Sequence, residues 1–316
     1  MKRIILSLVV TMLCLVPAMA SAAGKVVSVS QFVEHPALDA VLKGAQDYFK
    51  DNNLDVTFNV HNAQANMATT VQIAAQIQGE QPDLVIAIAT PSAQACAQKI
   101  QGTPILATAV TDHVGAGLVK SLEHPGGNVS GTSDMLPVAR QLDLIREFHP
   151  ELKSLGVIYN SGEANSVTLV KMLKAACDAA GIKLEEATVL NSAGIYQAAK
   201  SLVGRTEAVY LPTDNTVISA LESVVKVCRQ NKLPLYAADN DSVERGTIAA
   251  LAFDYYKLGY QTGAMAKRIL FDGADVSAMP VESLQELSLH VNMKAAEAMG
   301  VTVPESVLSR AEKVIK

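Results

Sequence analysis

The stretch PDLVIAIATPSAQA, residues 82–95, decides how the chain is read. Leu84 through Ala89 form a continuous apolar run of strand length. It lacks the alternation of a half-exposed strand, so it reads as a strand covered on both faces. Thr90, Pro91 and Ser92 follow at once. Proline suits a first helical turn and Ser and Thr suit helix entry, so a helix is expected over residues 92–100. A buried strand that runs straight into a helix is one piece of a parallel α/β unit.

The unit recurs on both sides of this stretch. KVVSVS (25–30) reads as a strand, 36–50 as a helix, DVTFNV (55–60) as a strand, 67–78 as a helix and PILATAV (104–110) as a fourth strand. The order then restarts with SLGVIYN (154–160), a helix over 166–180, KLEEATVL (183–190), a helix over 193–203, EAVYLP (207–212), a helix over 217–231 and LPLYAAD (233–239). Spacing matches as well as order: Pro104 opens the fourth strand of the first series as Pro234 does in the second. The fold class is therefore α/β, with two similar doubly wound parallel-sheet lobes joined by a hinge. Residues 23–133 with a return segment of about 273–316 are expected to form lobe one. Residues 134–272, including the amphipathic DMLPVARQLDLIREFHP (134–150) and a long helix over 255–271, are expected to form lobe two and its crossings.

Composition excludes several function classes. The 316 residues are 49% hydrophobic and 18% charged, which is ordinary for a globular chain of about two domains. The net charge of -5, with no basic stripe, argues against nucleic acid and anionic membrane surfaces as partners. Lys2 and Arg3 precede an apolar core over 4–16, and AMASAA offers a small-residue cleavage site. This is the pattern of a secretory signal peptide over residues 1–22, cleaved near Ala22. Cys14 has no small residue before it, unlike a lipoprotein cleavage box, so a soluble periplasmic protein is expected, as a monomer. Without Lys2 and Arg3 the chain carries 24 basic against 31 acidic side chains.

Cys96, Cys177 and Cys228 each fall in an apolar helical pattern and are expected as free buried thiols. Cys177 and Cys228 lie on the first and third helices of lobe two, which right-handed crossovers place on opposite faces of the sheet. No His or Cys spacing suits a metal, and no phosphate loop, nucleophile elbow or dinucleotide fingerprint occurs, so neither a cofactor nor a catalytic group is expected.

In open parallel sheets ligands bind beyond the carboxyl ends of the strands. Those ends carry SQFVEHPALD (30–39), ATPSAQA (89–95) and ATAVTDHVG (107–115) in lobe one, and YNSGEANS (159–166), LPTDNTV (211–217) and AADND (237–241) in lobe two. They nominate Gln31, Glu34, Thr90, Ser92, Thr111, Asp112, Asn165, Ser166, Thr213, Asp214, Asn215 and Asp239 as ligand-binding residues. Helix capping alone also explains Thr90, Thr213 and Asp214.

These motifs carry a resemblance. VEHPALDAVLKGAQD (33–47), NAQAN (62–66), PDLVIAIATPSAQA, ILATAVTDHVGAGLV (105–119), GGNVSGTSDMLPV (126–138), LGVIYNSGEANS (155–166), YLPTDN (210–215) and FDYYKLGYQTGAMAKRIL (253–270) together resemble the substrate-binding proteins of ABC transporters in the tryptophan/tyrosine-transport-like family. The resemblance spans essentially the whole chain after the leader. VTDHVG departs from it, with His113 where the family pattern has proline. It implies a type I periplasmic binding fold that delivers a small solute, often an aromatic or other amino acid, to a membrane permease with a separate ATPase subunit. Alternatives are a sensory binding protein that presents its ligand to a membrane receptor, and an exported α/β hydrolase. The charges at the strand ends suit a zwitterion: neutral Thr90, Ser92 and Thr111 for a carboxylate, and Asp214 and Asp239 for an ammonium. On this basis Asp214→Ala is expected to weaken binding while barely changing stability.

Overall fold

The computed structural model describes residues 24–316; the leader and its cleavage site fall outside them. The chain runs β1 (Lys25–Gln31), α1 (Pro36–Asp51), β2 (Val56–Asn62), α2 (Met67–Glu80), β3 (Leu84–Ile88), α3 (Thr90–Lys99), β4 (Ile105–Val110) and β5 (Val129–Ser133). It continues with α4 (Val138–Phe148), β6 (Ser154–Asn160), α5 (Ala164–Ala180), β7 (Lys183–Val189), α6 (Ile195–Leu202), β8 (Ala208–Leu211), α7 (Asn215–Ser219), α8 (Leu221–Asn231), β9 (Leu235–Ala237), α9 (Asn240–Glu244) and β10 (Ala249–Ala252). α10 (Tyr255–Leu270), β11 (Glu282–Ser283), β12 (Ser288–Asn292), α11 (Met293–Ala298), α12 (Glu305–Leu308) and β13 (Lys313–Ile315) complete it.

Both lobes show the same reversal of strand order. Lobe one has the order β11-β5-β4-β3-β1-β2 and lobe two β7-β6-β8-β9, so the first strand of each lobe lies between its second and third. All pairings within these two sheets are parallel. β3 and β4 are buried along their whole length, as their unbroken apolar runs require. β7, KLEEATV, is an edge strand whose buried and exposed residues alternate from Glu185 to Val189.

Each lobe has its own core. Val27, Val29, Ile86, Leu106 and Val110 anchor the first; Leu155, Val157, Ile158, Val209 and Leu235 anchor the second. In lobe two, α5 packs beside α4 while α8 packs beside α6. Cys177 on α5 and Cys228 on α8 are thus separated by the sheet, and both are free and buried, as is Cys96.

The expected domain boundaries need two corrections. α10 belongs with lobe one, where Leu258, Met265 and Ala266 join that core. Its partner is α1, and glycines set the closeness of the crossing: a Cβ on Gly259 would lie 2.0 Å from the Val41 carbonyl oxygen, and one on Gly44 2.1 Å from that of Tyr256. Conversely, most of the return segment belongs to lobe two. Only β11 pairs in lobe one, with β5. β12 and β13 form a small sheet with β10, and Leu289, Val291, Ala296 and Val307 enter the second core.

The chain therefore passes between the lobes three times, at residues 134–137, at Phe253 and Asp254, and at residues 284–287. α4 itself lies in lobe two, and Gln141 Nε2 donates to the Leu251 carbonyl 2.7 Å away, tying the first passage to the strand that leads into the second. No helix among the described residues is long and apolar enough to cross a membrane.

Candidate functional site

The strand ends of the two lobes face each other across a narrow, largely closed cleft. Lobe one contributes His35, Ala37, Leu38, Ala109, Thr111 and, where α10 leaves the second passage, Tyr255; the first passage contributes Asp134; lobe two contributes Asn165, Thr213, Asp214, Asn215, Ile218 and Asp239. Three carboxyl groups face this space and neither Lys nor Arg lines it.

Six nominated residues are thus brought together: Thr111, Asn165, Thr213, Asp214, Asn215 and Asp239. Six are not. Glu34 is exposed, and its neighbour His35 takes the inward position, because the chain is extended at the residue before Pro36 and successive side chains point to opposite sides. Gln31 is buried behind the wall, where its Nε2 donates to Asp39 and to the Val33 carbonyl. Asp112 is spent on its own turn, accepting from the Gly115 amide at 2.8 Å. Ser166 lies behind Asp214 and donates to it at 2.7 Å. Thr90 and Ser92 are buried in the first turn of α3 and do not line the enclosed space.

The helix starts of the two lobes are built differently. Asp214 caps α7 by accepting from Val217 N at 2.8 Å, and its other oxygen accepts from Asn160 N at 2.6 Å and from Ser166. Behind it Glu163, fully buried, accepts from the Asn215 and Thr216 amides and both their side chains. Burial, and then the charge of Glu163, push the Asp214 carboxyl well above its usual range. Asp239 caps α9 through the Ser242 amide and hydroxyl. Asp134 accepts from Thr111 Oγ1 at 2.9 Å and Tyr255 OH at 2.7 Å. Burial raises the pKa of both Asp134 and Asp239. A carboxylate has about four acceptor sites, so Asp134 and Asp239, with two protein donors each, keep capacity for a bound cation and Asp214 keeps less.

In lobe one, α3 starts after Ala89, which cannot cap and is held at φ 77°. Ala109, in the cleft wall, is held at φ 52° beside a break in the pairing of β4 with β5. Non-glycine residues in this region cost about 1–3 kcal/mol each, and such strain gathers where a site needs a particular backbone path. The Thr90 and Ser92 hydroxyls are buried without a protein partner, as are Thr213 Oγ1, Asn165 Oδ1 and both ring nitrogens of His35. Burial first, then the nearby Arg245 charge, lower His35 to about 4, so its ring is neutral at pH 7.

His35, Asp134 and Tyr255 were missed as site residues. The strand end before Pro36 pointed to the first but not to which of two adjacent polar residues faced inward. Asp134 and Tyr255 stand at the passages between lobes, which pattern reading treats as connections.

Comparison with known proteins agrees with this architecture. Residues 26–315 match the family model described as ABC transporter substrate binding protein. A tyrosine-binding protein of Clostridioides difficile (strain R20291) is 41% identical over 281 residues, covering 87% of this chain and 81% of the relative. A Streptococcus pneumonia ABC domain in complex with L-Trp superimposes with a TM-score of 0.89 at 35% identity, covering 93% of this chain and all of that one. A ligand-free, open substrate-binding protein from Clostridium difficile gives 0.68 at 40% identity, covering 92% and 99%. The two-lobed α/β fold, the cleft between facing strand ends and the match over nearly every described residue place the chain in the family of ABC transporter substrate-binding proteins.

Proposed function

We propose that the protein captures an aromatic L-amino acid between its lobes and delivers it to a membrane permease, without catalysis, after export and cleavage near Ala22. The observation that carries the choice of ligand is the charge of the cleft. Three buried carboxyl groups and neither Lys nor Arg line the cleft, with Arg245 near Asp239 but outside the lining, and burying acids with too little counter-charge is costly. A ligand ammonium supplies that charge, best at Asp134 and Asp239, whose acceptor sites are half free. The carboxylate takes a neutral donor, the unpartnered Thr213 hydroxyl in the cleft. Leu38, Ala109 and Ile218 offer apolar walls for a ring. The tyrosine and tryptophan ligands of the two similar proteins support the same choice.

Hinge closure is the proposed means of capture. In overall shape the chain resembles the tryptophan complex more than the open, ligand-free protein, although its identity to the latter is higher. The deciding experiment is isothermal titration of protein stripped of solute by unfolding and refolding, with L-Tyr, L-Trp, L-Phe and a panel of other amino acids and sugars. An aromatic amino acid is expected to bind, and at one hundred times its Kd to stabilise the fold by about 2.7 kcal/mol. Deaminated analogues, 3-(4-hydroxyphenyl)propionate and indole-3-propionate, should bind at least about tenfold more weakly, roughly 1.4 kcal/mol. Preference for a sugar, or equal binding of the deaminated analogues, would overturn the proposal.

A further inference from the structure

We infer that His35 selects the ligand by its ring, favouring an aromatic amino acid whose ring carries an O–H or N–H over one whose ring is wholly apolar. The inference rests on the proposed aromatic ligand and goes on to name the group that discriminates within that class.

His35 is the residue before α1, yet its side chain makes no capping bond, so the helix start does not account for it. It is 8% exposed, lines the cleft, and neither ring nitrogen has a close protein hydrogen-bond partner, the Asn215 side chain of lobe two facing the ring at longer range. Two unpartnered nitrogens on one buried ring are costly, and a ligand atom relieves part of that cost. The ring is neutral, so one nitrogen donates and the other accepts. That combination is poorly suited to either end of the zwitterion. An ammonium is better served by the carboxyl groups of Asp134 and Asp239, and a carboxylate by the Thr213 hydroxyl.

Strand order separates these groups. His35 follows β1, Thr111 follows β4 and Asp134 follows β5, and β3 lies between β1 and β4. With strands about 4.8 Å apart, the end of β1 is roughly 10 Å from that of β4 and roughly 14 Å from that of β5. An amino acid with its ammonium at Asp134 projects its side chain away from the hinge end of the sheet, and the ends of β3 and β1 lie in that direction. Ala37, Leu38 and Ile218 are apolar members of the same lining, and the Asn215 side chain faces the His35 ring. A ring seated there with its polar atom on the imidazole satisfies both the apolar lining and the imidazole. A site that hydrogen-bonds a substrate hydroxyl rejects the analogue lacking it far more strongly than an apolar pocket can.

The test is titration of the wild-type protein, His35→Phe and His35→Gln with L-Tyr, L-Trp and L-Phe. The wild type is expected to bind L-Tyr or L-Trp at least about tenfold more tightly than L-Phe. His35→Phe should remove that preference by weakening the favoured ligand while leaving L-Phe unchanged or improved, and His35→Gln, which keeps a donor and an acceptor, should restore part of it. In wild-type protein the His35 ring nitrogen resonances should shift with the favoured ligand and much less with L-Phe, a readout that stands even if a variant fails to fold. Equal losses for all three ligands in His35→Phe, or equal wild-type affinities, would overturn the inference while leaving the aromatic ligand intact. Wild-type protein that binds none of the three would overturn the proposed ligand, and the ring-reading role with it.

Discussion

The start of α3 in lobe one and the start of α7 in lobe two look alike in sequence, TPS against TDN, each directly after a buried strand. In the folded protein they are opposites. Asp214 spends its carboxyl on Val217, Asn160 and Ser166, so the helix cap of the lobe-two start is complete without a ligand and only the Thr213 hydroxyl beside it stays open. Thr90 and Ser92 spend their hydroxyls on nothing, behind an alanine that cannot cap. A polar residue at a strand end thus has two possible uses, and what distinguishes them is whether its lone pairs and protons are already taken.

The largest expected effect tests the lobe-two side. Asp214→Ala leaves three buried donors without an acceptor, so it should lower the unfolding free energy by about 3–5 kcal/mol in urea titration. A variant as stable as the parent that merely binds more weakly would return Asp214 to the ligand-binding role its sequence position suggested.

A second test separates the lobes by pH. His113, fully buried in lobe one, bonds through Nε2 to the Ala107 carbonyl, and burial lowers it to about 4. A histidine whose folded pKa is depressed stabilises the fold above its unfolded value near 6.5, and that contribution is lost as pH falls through 4. Over this window wild-type protein should lose up to about 3 kcal/mol more than His113→Gln. The buried acids, whose raised pKa values act in the opposite sense, are shared by both proteins and cancel in the difference. Parallel curves would show that His113 titrates normally.

The smallest effect is the sharpest for lobe one. Thr90→Val removes a hydroxyl that has no protein partner, so thermal melting should show stability unchanged or raised by up to about 1 kcal/mol. If stability instead drops, the hydroxyl is structural and the contrast between the two helix starts collapses.

How much was legible follows the same physics. Periodicity and turn residues suffice for the four strands of each series, the helices between them and the reversal of strand order, whereas β5 and β10 lie outside both series and the helix expected over 217–231 is interrupted between α7 and α8. The two misassigned segments depend on which lobe a helix or strand packs against. For α10 that is decided by close approach at Gly44 and Gly259, a long-range fit that no local pattern encodes. In the site, the loops were legible and the inward residue within each was not. Glu34 and His35 are neighbours of equal polarity, and only the backbone path before Pro36 separates them.

The three passages between lobes have a consequence for how the molecule is made. Neither lobe is one continuous piece of chain: lobe one waits for α10 and β11, and the small sheet of lobe two is finished only by β13, whose last residue is Ile315. A growing chain that has emerged from the ribosome as far as residue 250 holds most of two cores and can close neither. Each lobe is thus completed only by chain beyond residue 250, so a truncation there takes a piece out of both at once.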